Sequence, residues 1–322
     1  MKKLVALLLS AALCLGVAGC AAGNAPVGAG EPGLASAQPA VPVEPVPVAQ
    51  PVAVEEPEPE TVWTIREGMT LFLLQTEYPI GVEKLTLVLD NSTELELDYG
   101  IHFSVQKYRD GGWQEEDFPE TLFFADMLYT LPAKSVATME LNIGLLGRPL
   151  DEGLYRVVGG PVWAGEDRQE SPAWHVDFRV AADAQPEPDY AVYISGQNIP
   201  AVNGCLVTDR LPVYFINTTG EDGYVLDIPH QERLNDAEEW EEVPWKEGVG
   251  FCGTPSTLSA AGRDWSEDIS MLWGALEDGR YRLSYEVGAT FETEEVAYGE
   301  FTLYTPEDSQ GLPLAADSQT EG

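Results

Sequence analysis

Three short segments occur twice in this chain at nearly the same spacing, and this repetition is the strongest constraint on its fold. The pairs are Asn-Ser-Thr at 91–93 and Asn-Thr-Thr at 217–219, Trp113 and Trp240, and Gly-Leu-Tyr-Arg at 153–156 and Gly-Arg-Tyr-Arg at 279–282. The members of each pair lie about 126 residues apart. Two tandem copies of one fold explain such an offset. We therefore predict two domains, residues 61–183 and 188–306, joined by a short linker rich in proline and acid.

Within each predicted domain, apolar and polar residues alternate with the period of a β-strand. Leu85 to Leu89 alternates in this way, and His102 to Tyr108 runs into an Asp-Gly turn at 110–111, which is a strong hairpin signal. The second domain repeats the pattern at 211–216, 223–228, 280–287 and 296–304, and helical spacing is rare throughout. The sequence therefore predicts an all-β chain of two tandem antiparallel sandwiches of the immunoglobulin type, each with six to eight short strands.

A repeated pattern of an acid, a glycine and a tyrosine predicts a structural corner in each sandwich. The residues are Asp151, Gly153 and Tyr155 in the first domain and Glu277, Gly279 and Tyr281 in the second. In a tyrosine corner the phenol hydroxyl bonds a backbone group upstream, and glycine permits the backbone conformation that the corner needs. The alternative interpretation, in which these tyrosines contact a substrate, is open at this point.

These features together resemble the bacterial Ig-like domains of lipoproteins from clostridia and their relatives. The resemblance depends on the Asn-centred early hairpin, the Trp at a strand end, the steps that begin at Leu131 and Leu258, and the Gly-x-Tyr-Arg strand. It covers both domains and is better in the first, since the second departs from the pattern around Thr254 to Asp264. The resemblance implies a fold and a surface location, and it brings no catalytic residues.

The N-terminus has the features of an export signal. Lys2 and Lys3 precede an apolar run from Leu4 to Val17, which is too short to be a spanning helix, and Ala18 and Gly19 are small. Val17 to Cys20 resembles the lipobox of bacterial lipoproteins, which implies a signal peptide at 1–19, acylation of Cys20 and anchoring of the chain to the outer face of the cell membrane. The alternative is ordinary secretory cleavage, in which a cysteine follows the cleavage site by chance.

Two further segments are predicted to be disordered. Residues 20–60 are mostly Ala, Pro, Val, Gly and Glu, which favours an extended and solvated linker. Residues 307–322 form a polar, acidic tail.

Cys205 and Cys252 both lie in the second domain of a protein predicted to be exported. A disulfide between them is the natural interpretation, and two buried thiols are the alternative. The usual inter-sheet bridge of an Ig domain would place its second cysteine about two residues after Tyr281. This pair would therefore be a different disulfide, found only in the second domain.

The formal net charge of the chain is −37, which makes nucleic acid and anionic lipid headgroups poor partners. A basic protein is a better candidate. Calcium is disfavoured, because neither the acidic run at 115–117 nor that at 238–242 has the ligand spacing of a calcium loop, and we interpret both as solvated strand ends.

Candidate catalytic and cofactor patterns are weak. Gly248 to Gly253 matches a dinucleotide motif by letter only, since no strand is predicted before it and no helix after it. The histidines, at 102, 175 and 230, are far apart and lack neighbouring ligands, so we expect no metal, no cofactor and no enzyme activity.

Carbohydrate binding stays open as an alternative, because five tryptophans have no counterparts between the domains. These tryptophans are Trp163, Trp174, Trp245, Trp265 and Trp273. A hydrolase is the third candidate. The leading prediction is a surface-anchored, non-catalytic module that displays its domains to another envelope or extracellular protein.

Overall fold

The computed structural model describes residues 56–119, 127–165, 169–196, 198–202, 205–206, 210–250, 253–267, 269–292 and 295–306. Their regular secondary structure is almost entirely β-strand, and both sandwiches lie within one compact unit, Ala53–Gly322. The first sandwich is built from β1 (Val62–Arg66), β2 (Met69–Leu73), β3 (Glu77–Pro79), β4 (Lys84–Asn91), β5 (Leu97–Gly100), β6 (Phe103–Arg109), β7 (Gly112–Glu116), β8 (Leu128–Leu131), β9 (Ser135–Asn142), a 3₁₀ turn (Ile143–Leu146), β10 (Gly153–Gly159), β11 (Val162–Ala164), β12 (Gln169–Glu170) and β13 (His175–Ala181).

Two sheets face each other in the first sandwich. One has the strand order β1-β2-β4-β9 and the other the order β3-β13-β10-β6-β7, with a smaller sheet β12-β11-β5-β8 beside them. Alternate side chains of both main sheets point inward, since successive residues of a strand face opposite sides. Their core contains the fully buried Leu71, Leu87, Tyr155 and Phe178.

The second sandwich repeats this layout with small differences. Its elements are β14 (Tyr190–Ile194), β15 (Asn198–Val202), β16 (Cys205–Leu206), β17 (Leu211–Asn217), β18 (Gly223–Leu226), β19 (His230–Leu234), β20 (Trp240–Glu242), β21 (Pro255–Leu258), β22 (Arg263–Glu267), the short helix α1 (Ile269–Trp273), β23 (Gly279–Gly288) and β24 (Glu295–Tyr304). One sheet is β14-β17-β22, and the other is β16-β15-β24-β23-β18-β21, with β19 between β23 and β20. Its core contains Phe215, Leu283, Tyr285 and Val287.

The predicted all-β fold class is confirmed, with differences of detail. The Asp-Gly hairpin joins β6 to β7, and Asp110 and Gly111 have φ values of 52° and 83°, as a type I′ turn requires. Two pairs are parallel rather than antiparallel: β3 with β13, and β15 with β24. In each case an early strand crosses to the opposite sheet and runs beside the last strand of its sandwich. The chain also has more strands than expected, because short strands flank the long ones.

Asn91 and Asn217 end β4 and β17, the fourth strand of each sandwich, and make the same set of hydrogen bonds. The Asn91 side-chain amide donates to the carbonyls of Leu95 and Pro132, and that of Asn217 donates to the carbonyls of Glu221 and Ser259. Each Asn Oδ1 accepts the backbone amide and hydroxyl of the threonine two residues later. Both side chains are buried, so these bonds satisfy polar groups that have no access to water.

Candidate functional site

The first predicted corner lies where β10 begins. The Tyr155 hydroxyl is 3.0 Å from the backbone oxygen of Asp151 and 2.8 Å from its carboxylate Oδ1. Lys107, on β6, crosses this turn: its Nζ donates to the Glu152 carbonyl at 2.8 Å and lies 2.8 Å from the Asp151 carboxylate. The same ammonium lies 5.0 Å from the centre of the Tyr155 ring, which adds a cation–π contact.

The second corner is built from equivalent positions. The Tyr281 hydroxyl donates to the Glu277 carbonyl at 2.8 Å. Arg233, on β19, takes the place of Lys107, since its Nη1 contacts the Glu277 carboxylate at 2.7 Å and its Nη2 donates to the Asp278 carbonyl at 3.0 Å. Its guanidinium carbon lies 5.9 Å from the Tyr281 ring centre.

Both turns favour glycine, because their φ values are ones that L side chains rarely adopt and because a basic side chain lies close above each of them. Gly153 and Gly279 have φ values of 149° and 157°. A Cβ on Gly153 would lie 2.6 Å from Lys107 Cε, and one on Gly279 would lie 3.1 Å from Arg233 Nε. The basic residue of each corner was not predicted from the sequence, although Lys107 and Arg233 are separated by the same offset as the other repeated residues.

The corners shift the ionisation of their acidic members. Hydrogen bonds from Lys107 and then Tyr155 lower the pKa of Asp151 to about 2. Burial, reinforced by the bonded Asp151 carboxylate, raises the pKa of Tyr155, and burial also raises the pKa of Tyr281. Each phenol therefore stays protonated and donates its hydrogen bond. The hydrogen bonds of the corner residues hold each turn against the adjacent strand.

The two sandwiches meet at a buried carboxylate, Asp90 on β4. Its Oδ2 accepts the Tyr193 hydroxyl at 2.7 Å and the Gly196 amide at 3.3 Å, and its Oδ1 accepts the Ser195 hydroxyl at 2.6 Å. Burial and then the Asp90 charge raise the pKa of Tyr193, so the phenol remains a donor. Around this network lies an apolar cluster drawn from both sandwiches, formed by Val88, Val136, Tyr193, Tyr214 and Ile216.

A second carboxylate, Glu187, fastens the predicted linker to the first sandwich. Its Oε1 accepts the Thr86 amide at 2.8 Å and the Tyr78 hydroxyl at 2.8 Å, while its Oε2 accepts the Thr86 hydroxyl at 2.7 Å. Tyr78 is fully buried, and its pKa is raised by burial and then by Glu187. The linker between the predicted domains is thus part of a packed junction.

The two-sheet sandwich, its early strand that changes sheets and its tyrosine corner are features of an immunoglobulin-type domain. The family described as "Bacterial Ig-like domain" matches residues 66–167. Residues 66–167 of the first sandwich are thus similar to a bacterial Ig-like domain. The match ends within the first sandwich, between β11 and β12.

Solved structures similar to the chain have low sequence identity and low TM-scores. Red sea bream transglutaminase is 10% identical over 74% of this chain and 32% of that chain, with a TM-score of 0.23. The native conformation of E. coli alpha-2-macroglobulin is 11% identical over 74% of this chain and 17% of that chain, with a TM-score of 0.24. The E. coli chaperone DraB is 12% identical over 73% of this chain and 96% of that chain, with a TM-score of 0.24. The chain thus spans less than a third of the length of the first two proteins. A search of curated proteins gave no match.

The predicted lipidation and disulfide sites fall largely beyond the described residues. Cys20 and Cys252 lie outside them. Cys205 lies in β16, where it pairs with Val202 of β15, and its side chain is not described. Both the anchor and the bridge therefore stay predictions.

The tryptophans proposed for sugar stacking are mostly used for packing. Trp174 and Trp273 are buried, and the indole of Trp273 donates to the Val243 carbonyl at 3.0 Å. Trp245 packs against the second core and donates to the Pro229 carbonyl at 3.1 Å. Trp163 is half-buried on β11, and the side chain of Trp265 lies outside the described residues. These contacts favour the packing interpretation over a stacking platform.

One acidic run differs from expectation. Glu116 was predicted to be a solvated strand end, but it is 1% exposed and contacts Arg109 at 2.6 Å and Arg148. The two guanidinium groups compensate the carboxylate for its loss of water. In the second run the four glutamates, at 238, 239, 241 and 242, are exposed as predicted.

The histidines and the glycine-rich loop offer no shared site. His102 and His230 are exposed, while the Nε2 of His175 lies 2.7 Å from a Glu60 carboxylate oxygen. The backbone from Gly248 to Gly250 forms neither a strand nor a helix. Among the described residues, no group of three or more metal-ligating side chains is clustered. The same residues contain no helix long and apolar enough to cross a membrane.

The outer face of the second sandwich carries a row of planar groups. The Arg282 guanidinium carbon lies 4.5 Å from the ring centres of both Trp240 and Tyr298, and its Nε contacts Glu232 at 2.5 Å. Phe291, Val296, Tyr298 and Tyr304 are exposed large apolar side chains, and all four belong to β24 or to the turn before it. Other exposed apolar side chains lie elsewhere, and Met127, Leu128 and Tyr129 form a second group at β8. Exposed apolar groups that adjoin one another can form a contact surface.

Proposed function

We propose that this protein is an exported lipoprotein, acylated at Cys20 and anchored to the outer face of the cell membrane. Its two sandwiches act as tandem, non-catalytic Ig-like modules that bind another envelope or extracellular protein. The export signal, the small residues before Cys20 and the bacterial Ig-like domain at 66–167 support this proposal.

The observation that carries the proposal is that the polar residues at equivalent positions of the two sandwiches make hydrogen bonds that stabilise the fold. Asn91 and Asn217 hold equivalent turns, and the two corners tie Tyr155 and Tyr281 to backbone oxygens. Side chains that could perform chemistry are used for structure at these positions, whereas apolar groups are exposed along β24. This division fits a module that binds through its surface.

Charge indicates the type of partner. The net charge of −37 produces a negative field that attracts a basic protein surface, and salt screens such attraction. We therefore expect binding to weaken as the ionic strength rises.

Acylation is tested by replacing Cys20 with alanine in the producing cell. The wild type should take up a palmitate analogue and fractionate with the membrane, and Cys20→Ala should do neither. Cys14→Ala is the matched control, because Cys14 lies inside the signal peptide and should leave labelling unchanged. Equal labelling of Cys20→Ala and the wild type would refute the anchor.

Binding and catalysis are tested separately on the chain from Ala21 to Gly322. The protein is assayed on peptide, ester and glycoside panels, and its tryptophan fluorescence is followed with soluble glycans. Envelope proteins captured at low and at high salt are then compared. Turnover that disappears when one acidic or histidine side chain is replaced, with the fold intact, would overturn the non-catalytic assignment.

A further inference from the structure

The last strand of each sandwich presents three outward side chains at matching positions. Asp177 on β13 lies opposite Arg156 on β10, and Glu300 on β24 lies opposite Arg282 on β23. Because the two arginines are equivalent in the sequence repeat, the two acids are equivalent as well. Residues two positions apart share one side of a strand, and the residues between them face the cores. The two outward sets, here named rim strips, are His175, Asp177 and Arg179 in the first sandwich and Tyr298, Glu300 and Thr302 in the second.

The first rim strip is covered by the chain itself. The Asp177 amide donates to the Glu60 carbonyl at 2.8 Å, and the Glu60 amide donates to the Asp177 carboxylate at 2.9 Å. Nε2 of His175 lies 2.7 Å from the Glu60 carboxylate, and Nη1 of Arg179 lies 2.9 Å from the Glu56 carboxylate. Four residues of the linker thus span four residues of the strand, so this segment is extended. The end of the predicted linker lies along the first sandwich, with its acids on the two basic residues of the strip.

The second rim strip keeps the acid and lacks both basic residues. Tyr298 and Thr302 take the places of the histidine and the arginine. Tyr298 is 46% exposed and the Glu300 side chain is 50% exposed, whereas the acid of the first strip is 1% exposed. The second strip is therefore accessible, and it does not carry the basic pair that receives the linker acids in the first.

The sheet face around the second strip is acidic. Residues directly opposite each other on β20, β19, β23 and β24 lie on one face of this sheet. The two arginines of β23 on that face contact Glu300 and Glu232. Glu242 and Glu286 are exposed on the same face. Four carboxylates of these strands thus share two arginines, and the face attracts cations and repels anions.

A cavity of about 260 Å³ lies beside Glu300, between β14 and β24. β14 runs alongside β24, with the Val192 side chain against Gly299, and both strands contribute to the walls. Val192, Ile194 and Phe301 line the cavity and are apolar and buried, whereas Glu300 is exposed. Apolar walls beside a carboxylate fit a long basic side chain, since its methylene groups pack on apolar surface while its charged end contacts the acid.

We propose that the second rim strip and this cavity bind an extended basic segment of the partner protein. One lysine or arginine of that segment enters the cavity and contacts Glu300, and the residues beside it lie against the ring of Tyr298. The linker on the first strip shows the same geometry with the signs of the charges exchanged. This site rests on the proposed function, because it is where the basic partner expected there would bind.

Peptide binding to the chain from Ala21 to Gly322 tests the site directly. The probe is a fluorescent peptide in which arginine alternates with threonine, and its anisotropy is measured as protein is added. Glu300→Gln should weaken binding about threefold to tenfold, because it removes one partly exposed charge contact. Glu140→Gln is the matched control and should bind like the wild type, since Glu140 is a similarly exposed acid that also contacts a basic side chain, Lys84, at 2.8 Å. Equal affinities of these two variants, or no binding by the wild type, would overturn the site.

A cation placed on the strip should block the same site. Thr302→Arg introduces the charge that Arg179 carries in the first strip, at a position that lines the cavity. It should weaken binding of the arginine peptide more than Glu300→Gln does, because it adds repulsion to the lost space. Thr64→Arg, at an exposed strand residue of the first sandwich, is the matched control and should change the affinity little. Circular dichroism establishes that each variant is folded. Equal weakening by both arginine variants would mean that the peptide responds to net charge alone, and the site would be wrong.

Capture from the envelope separates this site from the proposed function. A basic envelope protein that the wild type captures at low salt should be lost from Thr302→Arg and retained by Thr64→Arg. Equal capture by both variants would contradict the site and leave the binding module standing. Absence of capture by the wild type would contradict the proposed function, and the peptide titration would still decide whether the strip binds basic segments.

Discussion

Lys107 and Arg233 show how one residue position can complete a corner with different chemistry. Both lie on the strand beside the turn and both contact an acid and a backbone carbonyl. Only the first corner has a Tyr hydroxyl within hydrogen-bonding distance of the acid as well as of the backbone. The two corners should therefore differ in how much their tyrosine hydroxyls contribute to stability.

Tyr155→Phe and Tyr281→Phe each remove one hydroxyl and keep the ring. We expect Tyr281→Phe to lower the free energy of unfolding by about 1 kcal/mol, and Tyr155→Phe to lower it by about 2 kcal/mol because its partner includes a carboxylate. Urea denaturation measures both changes. Unchanged stability in both variants would argue against the corner as a structural element.

The lowered pKa of Asp151 makes the first corner sensitive to acid. A carboxyl with a lower pKa in the folded state stabilises the fold above its unfolded pKa, near 3.8, and loses this contribution as pH falls to about 2. Asp151→Asn removes the titration. Its melting temperature should be lower than that of the wild type at pH 5, and the difference should shrink between pH 4 and pH 2. The side chain is 73% exposed, so we expect a small effect that salt reduces. A difference that is constant with pH would rule out this linkage.

Gly159 is sterically required, whereas its neighbour Gly160 is not. A Cβ on Gly159 would lie 2.0 Å from ring atoms of the buried Trp174, while a Cβ on Gly160 would have no atom within 4 Å. Gly159→Ala should destabilise the protein by about 1–3 kcal/mol through overpacking. Gly160→Ala is the matched control and should change the melting temperature little. Similar effects of the two substitutions would show that the Trp174 contact is not the cause.

At the level of elements, the junction depends on a segment without regular structure. Glu187 accepts three hydrogen bonds from Thr86 and Tyr78, and Asp90 accepts three from the residues around β14. Both carboxylates receive charge-assisted bonds from groups with little access to water. The last residues of the segment between the two sandwiches therefore attach the start of the second sandwich to the first.

Glu187→Ala leaves the Thr86 amide and the Tyr78 hydroxyl without their acceptor. We expect a loss of about 1–3 kcal/mol and a broader thermal transition, because the two sandwiches lose part of their coupling. Calorimetry measures both effects. Asp183→Ala, which removes an exposed carboxylate at the end of the first domain, is the matched control and should behave like the wild type. A sharp, unshifted transition in Glu187→Ala would mean that the apolar cluster alone couples the sandwiches.

At the scale of the whole molecule, the predicted Cys205–Cys252 bridge would act on one sandwich only. Closing a loop of about 48 residues contributes on the order of 4 kcal/mol by the chain-entropy estimate, an upper figure because strain reduces it. Reduction should lower the melting temperature of the second sandwich and leave the first unchanged. Non-reducing digestion and mass spectrometry would exclude the bridge by finding both thiols free.

The sequence was most informative where local rules act. The Asp-Gly turn at 110–111 needs positive φ at both residues, and the alternation along β4 and β23 places apolar groups inside. Contacts that join distant residues left no local pattern. Glu116 and Glu187 resemble any other acid in a chain with 54 of them, and only the folded structure shows that arginines or buried hydroxyls face them.

The apolar cluster at the junction determines how far this protein can be dissected. Val88 and Val136 belong to the first sandwich, and Tyr193, Tyr214 and Ile216 belong to the second. Separating the two sandwiches, by a cut in the segment between them, would expose both halves of this cluster to water. It would also leave Asp90 without its hydrogen-bond donors. Each separated half would then carry a hydrophobic patch beside an isolated carboxylate, and should be less soluble than the intact pair. The smallest well-behaved fragment of the folded region is therefore both sandwiches together.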